Sequence, residues 1–479
     1  MTDSLADVLV PTLVLVEWAI LGYFFLVTSF YAVLLVSAVI DLRPHVLKER
    51  GENRRRLLQS AMVPRISLIA PAFNEGKTIA ESVRALLGLQ YPRLEVVVVN
   101  DGSKDNTLAV LQDQFDLVNV HPIFRRRLKT KPVLALYRSR IHPNLIVVDK
   151  ENGGKADALN VGLNIAQEEL VCSIDADTLI EADALQRMVR PFLESDDIIA
   201  AGATIRPVNS CSVQGGRVTR LHIPLRLLPG VQVAEYLRAF LFGRLGWNRI
   251  GGNLIISGAF GLFRREAVIE SGGYQHDTVG EDMELVVRLR RQSYERNHPQ
   301  RVVFIPDPVA WTEVPESCRI LGRQRDRWHR GLADVLWRHR TLFLNPRYGA
   351  MGLVAFPYFV LVELLAPVVE TVGVATTILL VALGAGNRSY ALLFFLVAYG
   401  YGTLLSLWTL VIEEFSFRRI DTLVDRLVLI GWCLAENFGY RQLTVYWRLR
   451  GLYKFFAGKT EWGTMERAGF KKPAAAVAK

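Results

Sequence analysis

The sequence predicts an α/β domain joined to membrane-spanning helices, and three observations support this fold class. Between residues 65 and 174, short apolar runs rich in β-branched residues alternate with segments of helical spacing. Residues 19–40 and 389–412 contain no charged side chain. The whole chain is 51% hydrophobic and 22% charged, a mixture typical of a soluble domain attached to membrane segments.

The N-terminal segment has the pattern of a membrane anchor. A helix rises about 1.5 Å per residue and a bilayer core is about 30 Å thick, so residues 19–40 can span it. No Lys or Arg precedes Arg43, whereas several follow between residues 48 and 56. A cleaved signal peptide would need positive charge before its apolar region. We therefore expect residues 1–42 to be an anchor with its N-terminus outside, followed by a cytosolic domain.

Residues 43–315 are predicted to fold as that cytosolic α/β domain. Strands are expected near residues 65–70, 95–99, 145–148 and 171–174, and helices near residues 77–87, 106–115 and 155–166. This alternation implies a mostly parallel sheet that binds ligands at the carboxyl ends of its strands. The first strand is followed by Pro71-Ala72-Phe73-Asn74-Glu75, not by a glycine-rich dinucleotide loop. We therefore expect the nucleotide-sugar-binding version of a Rossmann-like fold and no nicotinamide cofactor.

Acidic motifs occur at the predicted ends of strands and helices. Asp101 ends a valine-rich run, and Glu281-Asp282 opens a helical stretch. Asp175 and Asp177 are two residues apart at a strand end, so their carboxylates would share one face and could hold a hard divalent ion. Gly153-Gly154-Lys155-Ala156-Asp157 precedes a helix, where backbone N–H groups and an ammonium can meet a diphosphate.

In this order, and followed by Gln324-Arg325-Asp326-Arg327-Trp328, the motifs resemble the membrane-embedded polysaccharide synthases of glycosyltransferase family 2. That group contains cellulose, chitin, hyaluronan and poly-N-acetylglucosamine synthases. The resemblance covers roughly residues 64–344. It implies a GT-A type domain, a UDP-sugar donor, and Mg²⁺ or Mn²⁺ held by Asp175 and Asp177.

The resemblance also implies a role for each motif. Asp282 is expected to be the general base that takes the proton of the acceptor hydroxyl in one inverting displacement. The acceptor is expected to contact Gly258, Gln324 and Trp328, whose ring can stack on a sugar. Residues expected to contact the donor are Glu75, Asp101, Lys155, Asp157, Asp175, Arg325 and Arg327.

Each motif also has a structural interpretation, which stays open at this point. Asp101 can be a turn former before Gly102, and Glu75 and the Glu281-Asp282 pair can favour helix N-termini through the helix dipole. Lys155 can be a solvated loop residue. An arginine-rich amphipathic helix is more often an element that lies on a lipid surface. The occurrence of all these motifs in one chain favours the functional interpretation.

The C-terminal part is predicted to return to the membrane. We expect an interfacial helix in residues 316–349, two transmembrane helices in residues 350–413, and a cytosolic amphipathic helix with a tail in residues 414–479. Glu363 and Glu370 would share one helix face, either in interfacial water or along a polar translocation path. Trp462-Gly463-Thr464 resembles the gating loop that closes over UDP in hyaluronan synthases, so Trp462 and Thr464 are predicted to gate.

Charge and cysteine content exclude other classes of protein. The net charge of +10 does not predict nucleic-acid binding, because basic residues crowd beside apolar segments, where anionic membrane lipids would attract them. The basic stretch at residues 121–142 is predicted to be a solvated or membrane-facing loop. The four cysteines are scattered without metal-type spacing, so neither a disulfide framework nor a zinc site is expected.

The sequence thus predicts a multi-pass protein of the inner (plasma) membrane that transfers N-acetylglucosamine processively from a UDP-sugar to a β-linked extracellular polysaccharide. The choice of sugar depends on general similarity to poly-N-acetylglucosamine synthases. The alternative is transfer of one sugar to a membrane lipid, as in ceramide glucosyltransferases; a non-enzymatic receptor is a third interpretation. Three spans are few for a secretion pore, so a secretion partner, a homo-oligomer or a lipid acceptor is expected.

Overall fold

The computed structural model describes residues 2–51, 63–176, 178–417, 420 and 422–458. These residues divide into two compact units. The sheet unit contains the described residues of Pro44–Pro224 and Asn253–Val314. The helical unit contains those of Met1–Arg43, Leu225–Gly252 and Pro315–Trp462. Residues 225–252, predicted within the α/β domain, therefore belong to the helical unit.

A mixed sheet of ten strands, in the order β3-β4-β5-β2-β1-β6-β11-β8-β12-β7, forms the centre of the sheet unit. A second sheet consists of β9 and β10. In chain order the strands are β1 Ile66–Ala72, β2 Leu94–Asp101, β3 Leu117–Val120, β4 Val133–Ser139, β5 Leu145–Lys150, β6 Leu170–Ile174, β7 Leu179–Ile180, β8 Ile198–Pro207, β9 Ser212–Gln214, β10 Arg217–Arg220, β11 Phe260–Arg264 and β12 Arg301–Thr312.

Helices of both units are numbered together in chain order. They are α1 Thr2–Gly51, α2 Ile79–Leu87, α3 Thr107–Phe115, α4 Lys155–Ile165, α5 Ala184–Met188, α6 Arg190–Glu194, α7 Leu227–Leu237, α8 Gly243–Ile250, α9 Arg265–Glu270, α10 Glu281–Glu295, α11 Cys318–Arg338, α12 Met351–Leu364, α13 Ala366–Ala382, α14 Arg388–Phe417, α15 Leu423–Ala435 and α16 Tyr440–Phe456. A π-helical turn, Arg238–Phe242, connects α7 and α8. Single 3₁₀ turns, Arg340–Leu342 and Pro346–Tyr348, separate α11 from α12.

The alternation of strands and helices predicted for residues 65–174 is confirmed, but the expected mostly parallel sheet is wrong. Strands β5, β2, β1 and β6 run parallel, as do β8 and β12. The pairs β3–β4, β4–β5, β6–β11, β8–β11 and β7–β12 are antiparallel. Strand β4 lies in the basic stretch that was predicted to be a loop.

Helix α4 lies against the parallel strands β1 and β2. Its residues from Asp157 to Ile165 are all buried. A Cβ atom on Gly162 would lie 2.3 Å from Cγ2 of Ile69, so only glycine permits this approach of helix to strand. Helix α4 begins at Lys155, directly after the glycine turn, and this packing holds the body of the helix against the sheet.

In the helical unit, two helices of the described chain are long and apolar enough to cross a bilayer. They are Val8–Lys48 within α1, and α14. Helices α12 and α13 are bent by 44° at their junction and would together form a third span. The three expected spans overlap these candidate helices, and the number of spans and the side of the membrane stay predictions. The single amphipathic helix expected within residues 414–479 is instead two helices, α15 and α16, because the chain turns at Gly439, whose φ is 79°.

Helices α7 and α8 pack within the helical unit, α7 against α15 and α8 through aromatic rings. The Trp247 ring lies 5.4 Å from that of Phe30 and 5.1 Å from that of Tyr358, between ring centroids. A Cβ atom on Gly246 would lie 2.4 Å from the carbonyl oxygen of Leu34, so this glycine lets α8 approach α1 closely. These contacts explain why residues 225–252 do not join the sheet unit.

The two glutamates predicted on one face of a membrane helix both have partners in α16. Glu370 Oε2 pairs with the guanidinium of Arg441 at 3.0 Å. Glu363 accepts a hydrogen bond from the Tyr358 hydroxyl at 3.0 Å and lies 3.8 Å from Arg448. Both glutamates thus form ion pairs between helices, and the two sequence-based interpretations of their surroundings stay open.

A buried aspartate joins three elements of the sheet unit. Asp307, on β12, has a fully buried side chain. Its carboxylate lies 2.6 Å from Nε2 of His45 and 2.5 Å from the guanidinium of Arg187 on α5. Although burial opposes its ionisation, the hydrogen bond from His45 and the charge of Arg187 hold the pKa of Asp307 well below its usual range.

We expect Asp307→Ala to lower the free energy of unfolding by about 3 kcal/mol, because breaking a buried ion pair leaves a desolvated charge behind. Denaturant titration of the purified protein in detergent measures this loss. Asp196→Ala is the matched control. The Asp196 side chain is fully exposed, and its ion pair with Arg264 is long, at 3.8 Å. Equal stability of the two variants would contradict the prediction.

Candidate active site

The predicted site residues of the sheet unit lie at the carboxyl ends of neighbouring strands. Asp101 is the last residue of β2, and Asp175 directly follows β6. Because β5, β2, β1 and β6 are parallel, their carboxyl ends meet at one edge of the sheet. This is the edge at which α/β sheets bind ligands.

Lys155 connects the donor-side residues to the acceptor-side loop. Its ammonium lies 2.5 Å from Oδ1 of Asp175 and donates to the carbonyl oxygen of Gly258 at 3.3 Å. Burial opposes the charge, but the carboxylates of Asp175, Glu281 and Asp282 raise the pKa of Lys155 above its usual range. The side chain is therefore a permanent cation among carboxylates.

Asp282 lies in the first turn of α10, as predicted, and is only partly buried. Its Oδ2 accepts a hydrogen bond from the Gly258 N–H at 3.0 Å, and its Oδ1 accepts one from the Met283 N–H at 2.8 Å. A Cβ atom on Gly258 would lie 3.2 Å from the Lys155 ammonium and 3.3 Å from Oδ2 of Asp282. The structure therefore brings Asp282, Gly258, Lys155 and Asp175 together, as the sequence predicts.

Asp101 is buried, and its carboxylate organises the glycine turn. Oδ1 accepts the N–H of Gly153 at 2.9 Å, and Oδ2 accepts that of Gly154 at 2.8 Å. The Asn152 side chain donates to the Asp101 carbonyl oxygen at 2.7 Å, and the Lys150 ammonium donates to the carboxylate. The backbone N–H groups expected to meet a diphosphate are thus taken by Asp101. Contact between Asp101 and a nucleotide stays a prediction.

Asp157 is also buried, and its contacts are internal. Its carboxylate accepts the backbone N–H of Lys131 at 2.9 and 3.1 Å and lies 3.3 Å from the Lys150 ammonium. The sequence predicts a donor contact for Asp157. Its pairing with Lys150 was not predicted. The sequence signal for Lys150 was its position two residues after the apolar run of residues 145–148, where a charged side chain needs a buried partner.

Glu75 lies in the loop after β1, which is joined to the loop after β2. The Glu75 N–H donates to the Thr107 hydroxyl at 2.9 Å, and its carboxylate accepts from the Thr78 hydroxyl at 2.9 Å. Asn74 has φ of 56°, in the left-handed region, and its side chain accepts the Lys104 N–H at 2.8 Å. Glu75 therefore both precedes α2 and borders the predicted nucleotide side, so its two interpretations stay open.

The predicted metal ligands are only partly described. Asp177 lies outside the described residues. One carboxylate oxygen of Asp175 forms an ion pair with the Lys155 ammonium. Among the residues that the structure describes, no group of three or more His, Cys, Asp or Glu side chains is arranged to hold a metal ion. The carboxylate of Asp175 is an oxygen donor of the type that Mg²⁺ and Mn²⁺ prefer. Metal binding stays a prediction for Asp175 with Asp177.

The Gln-Arg-Asp-Arg-Trp motif lies on α11 of the helical unit. Arg325 is buried, and its guanidinium pairs with Glu235 at 2.6 Å and donates to the Tyr440 hydroxyl at 3.2 Å. The Arg325 guanidinium carbon also lies 4.6 Å from the centroid of the Trp328 ring, which is 43% exposed. Arg325, expected to contact the donor, is thus committed to Glu235, whereas the Trp328 ring retains an exposed surface.

The other members of this motif have different environments. Gln324 and Arg327 are half-buried, and their predicted acceptor and donor contacts stay predictions. Asp326, to which the sequence analysis gave no role, is buried and accepts from Arg450 at 2.8 Å and Lys454 at 2.6 Å. The predicted gating residues Trp462 and Thr464 lie outside the described residues.

The chain is similar to two glycosyltransferase family models and to named enzymes. Residues 67–272 match Glycosyl transferase family 2, and residues 170–405 match Glycosyl transferase family group 2. A poly-beta-1,6-N-acetyl-D-glucosamine synthase of Staphylococcus epidermidis is 30% identical over 294 residues, which are 61% of each chain. A synthase of the same name from Staphylococcus aureus strain COL is 27% identical over 297 residues, 62% of this chain and 60% of the relative. The matches thus span about three fifths of these relatives.

A solved structure supports the fold. The mannosyltransferase PcManGT of Pyrobaculum calidifontis, in complex with GDP-Man and Mn²⁺, superposes with a TM-score of 0.50 at 20% identity. The superposition covers 86% of this chain and 99% of that one. The predicted GT-A type α/β fold is therefore confirmed. The resemblance to glycosyl transferase family 2 that the acidic motifs predict is confirmed over residues 67–272.

Proposed function

We propose that this chain is an inverting, processive glycosyltransferase that adds N-acetylglucosamine from a UDP-sugar to a growing β-linked extracellular polysaccharide. The observation that carries the proposal is the group of Asp282, Gly258, Lys155 and Asp175 at the carboxyl edge of a family 2 domain. The names of the Staphylococcus relatives support the choice of sugar and a β-1,6 linkage.

In the proposed reaction, Asp282 acts as general base. The acceptor oxygen attacks the anomeric carbon, the bond from that carbon to the diphosphate breaks, and its electron pair leaves with UDP. The proton of the acceptor hydroxyl passes to the Asp282 carboxylate. The N–H groups of Gly258 and Met283 hold this carboxylate in one orientation, as a general base requires.

The leaving group requires positive charge at the donor side. The Lys155 ammonium forms an ion pair with Asp175. On donor binding it would exchange this carboxylate for the diphosphate. When bound by Asp175 with Asp177, Mg²⁺ or Mn²⁺ would neutralise charge on the departing UDP. The Mn²⁺ in the mannosyltransferase complex is consistent with this proposed use of a divalent ion.

The proposed enzyme works at a membrane. The candidate spanning helices and the basic residues that follow the first of them support a plasma-membrane protein with a cytoplasmic catalytic domain. Membrane lipids would then surround its spanning helices. A secretion partner or a homo-oligomer would supply the rest of an export path, and a lipid acceptor would make one unnecessary.

Asp282→Asn is expected to reduce transfer by about 10²- to 10⁴-fold and to leave UDP binding nearly unchanged, because the amide keeps the shape and loses the base. Radiolabelled sugar transfer and calorimetric titration with UDP measure the two effects. Asp113→Asn, an exposed position on α3, is the control with unchanged transfer. Near-normal turnover of Asp282→Asn would show that another residue is the base.

Activity is expected to disappear on chelation and to return with Mg²⁺ or Mn²⁺, because an unneutralised diphosphate is a poor leaving group. Asp177→Ala should lose donor binding as well as turnover. Turnover and UDP-sugar binding are measured before chelation, after it, and after the ion is restored. Full activity in the chelator would contradict the assignment of Asp175 and Asp177.

Trp328→Ala is expected to shorten or abolish the polymer while hydrolysis of the UDP-sugar persists, because the ring that would stack on the acceptor is lost. Product sizing over a time course measures chain growth. Trp337→Ala is the matched control, since Trp337 is also exposed on α11 and also has a guanidinium, that of Arg340, over its ring. A wild-type product that stays one monoglycosylated lipid would instead establish the non-processive alternative.

A further inference from the structure

Lys150, the last residue of β5, has a side chain with 0% exposure. Its ammonium contacts the Asp101 carboxylate, donates to the Glu151 carbonyl oxygen at 2.6 Å, and lies 3.3 Å from Oδ1 of Asp157. All three partners belong to the protein interior or its backbone. A lysine buried in this way cannot reach a substrate, so any function must act through its neighbours.

Those neighbours hold the turn that precedes α4. Asp101 accepts the N–H groups of Gly153 and Gly154, one on each carboxylate oxygen. A Cβ atom on Gly153 would lie 2.6 Å from Cγ of Asp157, so the turn lies directly on this second carboxylate. Gly154 has φ of 85°, a left-handed conformation that glycine adopts without strain. A shift of either carboxylate would therefore displace the turn.

The positions of these carboxylates depend on the ammonium. Two buried carboxylates in one cluster repel each other, and an unpaired buried charge is unfavourable. Lys150 is the cation that touches both. Without it, the two carboxylates would move apart, and the hydrogen bonds from Asp101 to Gly153 and Gly154 would change.

We propose that Lys150 is a positioning residue that sets the Gly153–Gly154 turn and, through it, the Lys155 ammonium that meets the donor diphosphate. Lys155 is the first residue of α4 and directly follows this turn. Asp282, in contrast, is held by Gly258 and Met283. The inference rests on the proposed function, and it assigns to Lys150 an effect on donor binding and not on the proton transfer.

The test compares Lys150→Met with Lys129→Met in the full-length protein reconstituted in lipid. Both variants replace lysine by a side chain of similar length, but Lys129 is exposed and serves as the matched control. We expect Lys150→Met to raise the KM for the UDP-sugar and the Kd for UDP by about 10- to 100-fold, the range of one lost charged hydrogen bond. The kcat at saturating donor should stay within about threefold of wild type, because Asp282 keeps its partners.

A residue with only a structural role would behave differently. Loss of folded protein lowers kcat in proportion to the inactive fraction and leaves KM and Kd unchanged. Lys150→Met with unchanged KM and Kd would therefore overturn the inference, whatever its kcat. If the wild-type protein bound no uridine nucleotide, the proposed function itself would be wrong. This result is distinguishable from failure of the Lys150 inference, because it is obtained with the wild-type protein alone.

Lys150→Arg covers the case in which Lys150→Met does not fold. Arginine keeps the positive charge with a different arrangement of donors. We expect a folded Lys150→Arg protein to bind UDP more weakly than wild type, with kcat at saturating donor again within about threefold of wild type. If Lys150→Arg bound UDP as tightly as the wild type does, the exact contacts of the Lys150 ammonium would not matter. That result would contradict the proposed positioning role.

Discussion

One buried ammonium shared by two buried carboxylates is the interaction on which the carboxyl edge of the sheet depends. Parallel strands deliver the Asp101 and Lys150 side chains to the same place, and α4 adds Asp157 from above the sheet. None of these charges is stable alone in the interior. Together with the backbone N–H groups of Gly153 and Gly154, they form a cluster in which every partner fixes another. The start of α4, and with it Lys155, is placed by this cluster.

The carboxylates at this edge fall into two kinds. Asp101 and Asp157 are buried and bound by several internal donors, so they shape the backbone. Asp282 is partly exposed, and Asp175 holds a single ammonium that a diphosphate could attract. This contrast separates groups that build the site from groups that are available for chemistry. Sequence motifs alone do not make the distinction, because all four residues are acids at element ends.

Local patterns in the sequence were sufficient for the central elements and insufficient for the rest. The strands β1, β2, β5 and β6 were predictable from β-branched runs, the position of Asp175 from the end of β6, and those of Lys155 and Asp282 from helix starts. Strand β8 is rich in alanine, and β12 contains Pro306 and Pro308, where its pairing with β8 shifts register, so neither has an ordinary strand pattern. The pairs Lys150 with Asp101 and Arg325 with Glu235 join residues distant in sequence, which no local pattern reveals.

The ion pairs of α16 have a consequence for how the protein is made. Asp326, Glu363 and Glu370 find their cations in Lys454, Arg448 and Arg441, which follow them by 128, 85 and 71 residues. During synthesis, α11, α12 and α13 leave the ribosome with these carboxylates unmatched. The helical unit can therefore reach its final arrangement only after α16 has been translated, because this helix carries the matching cations.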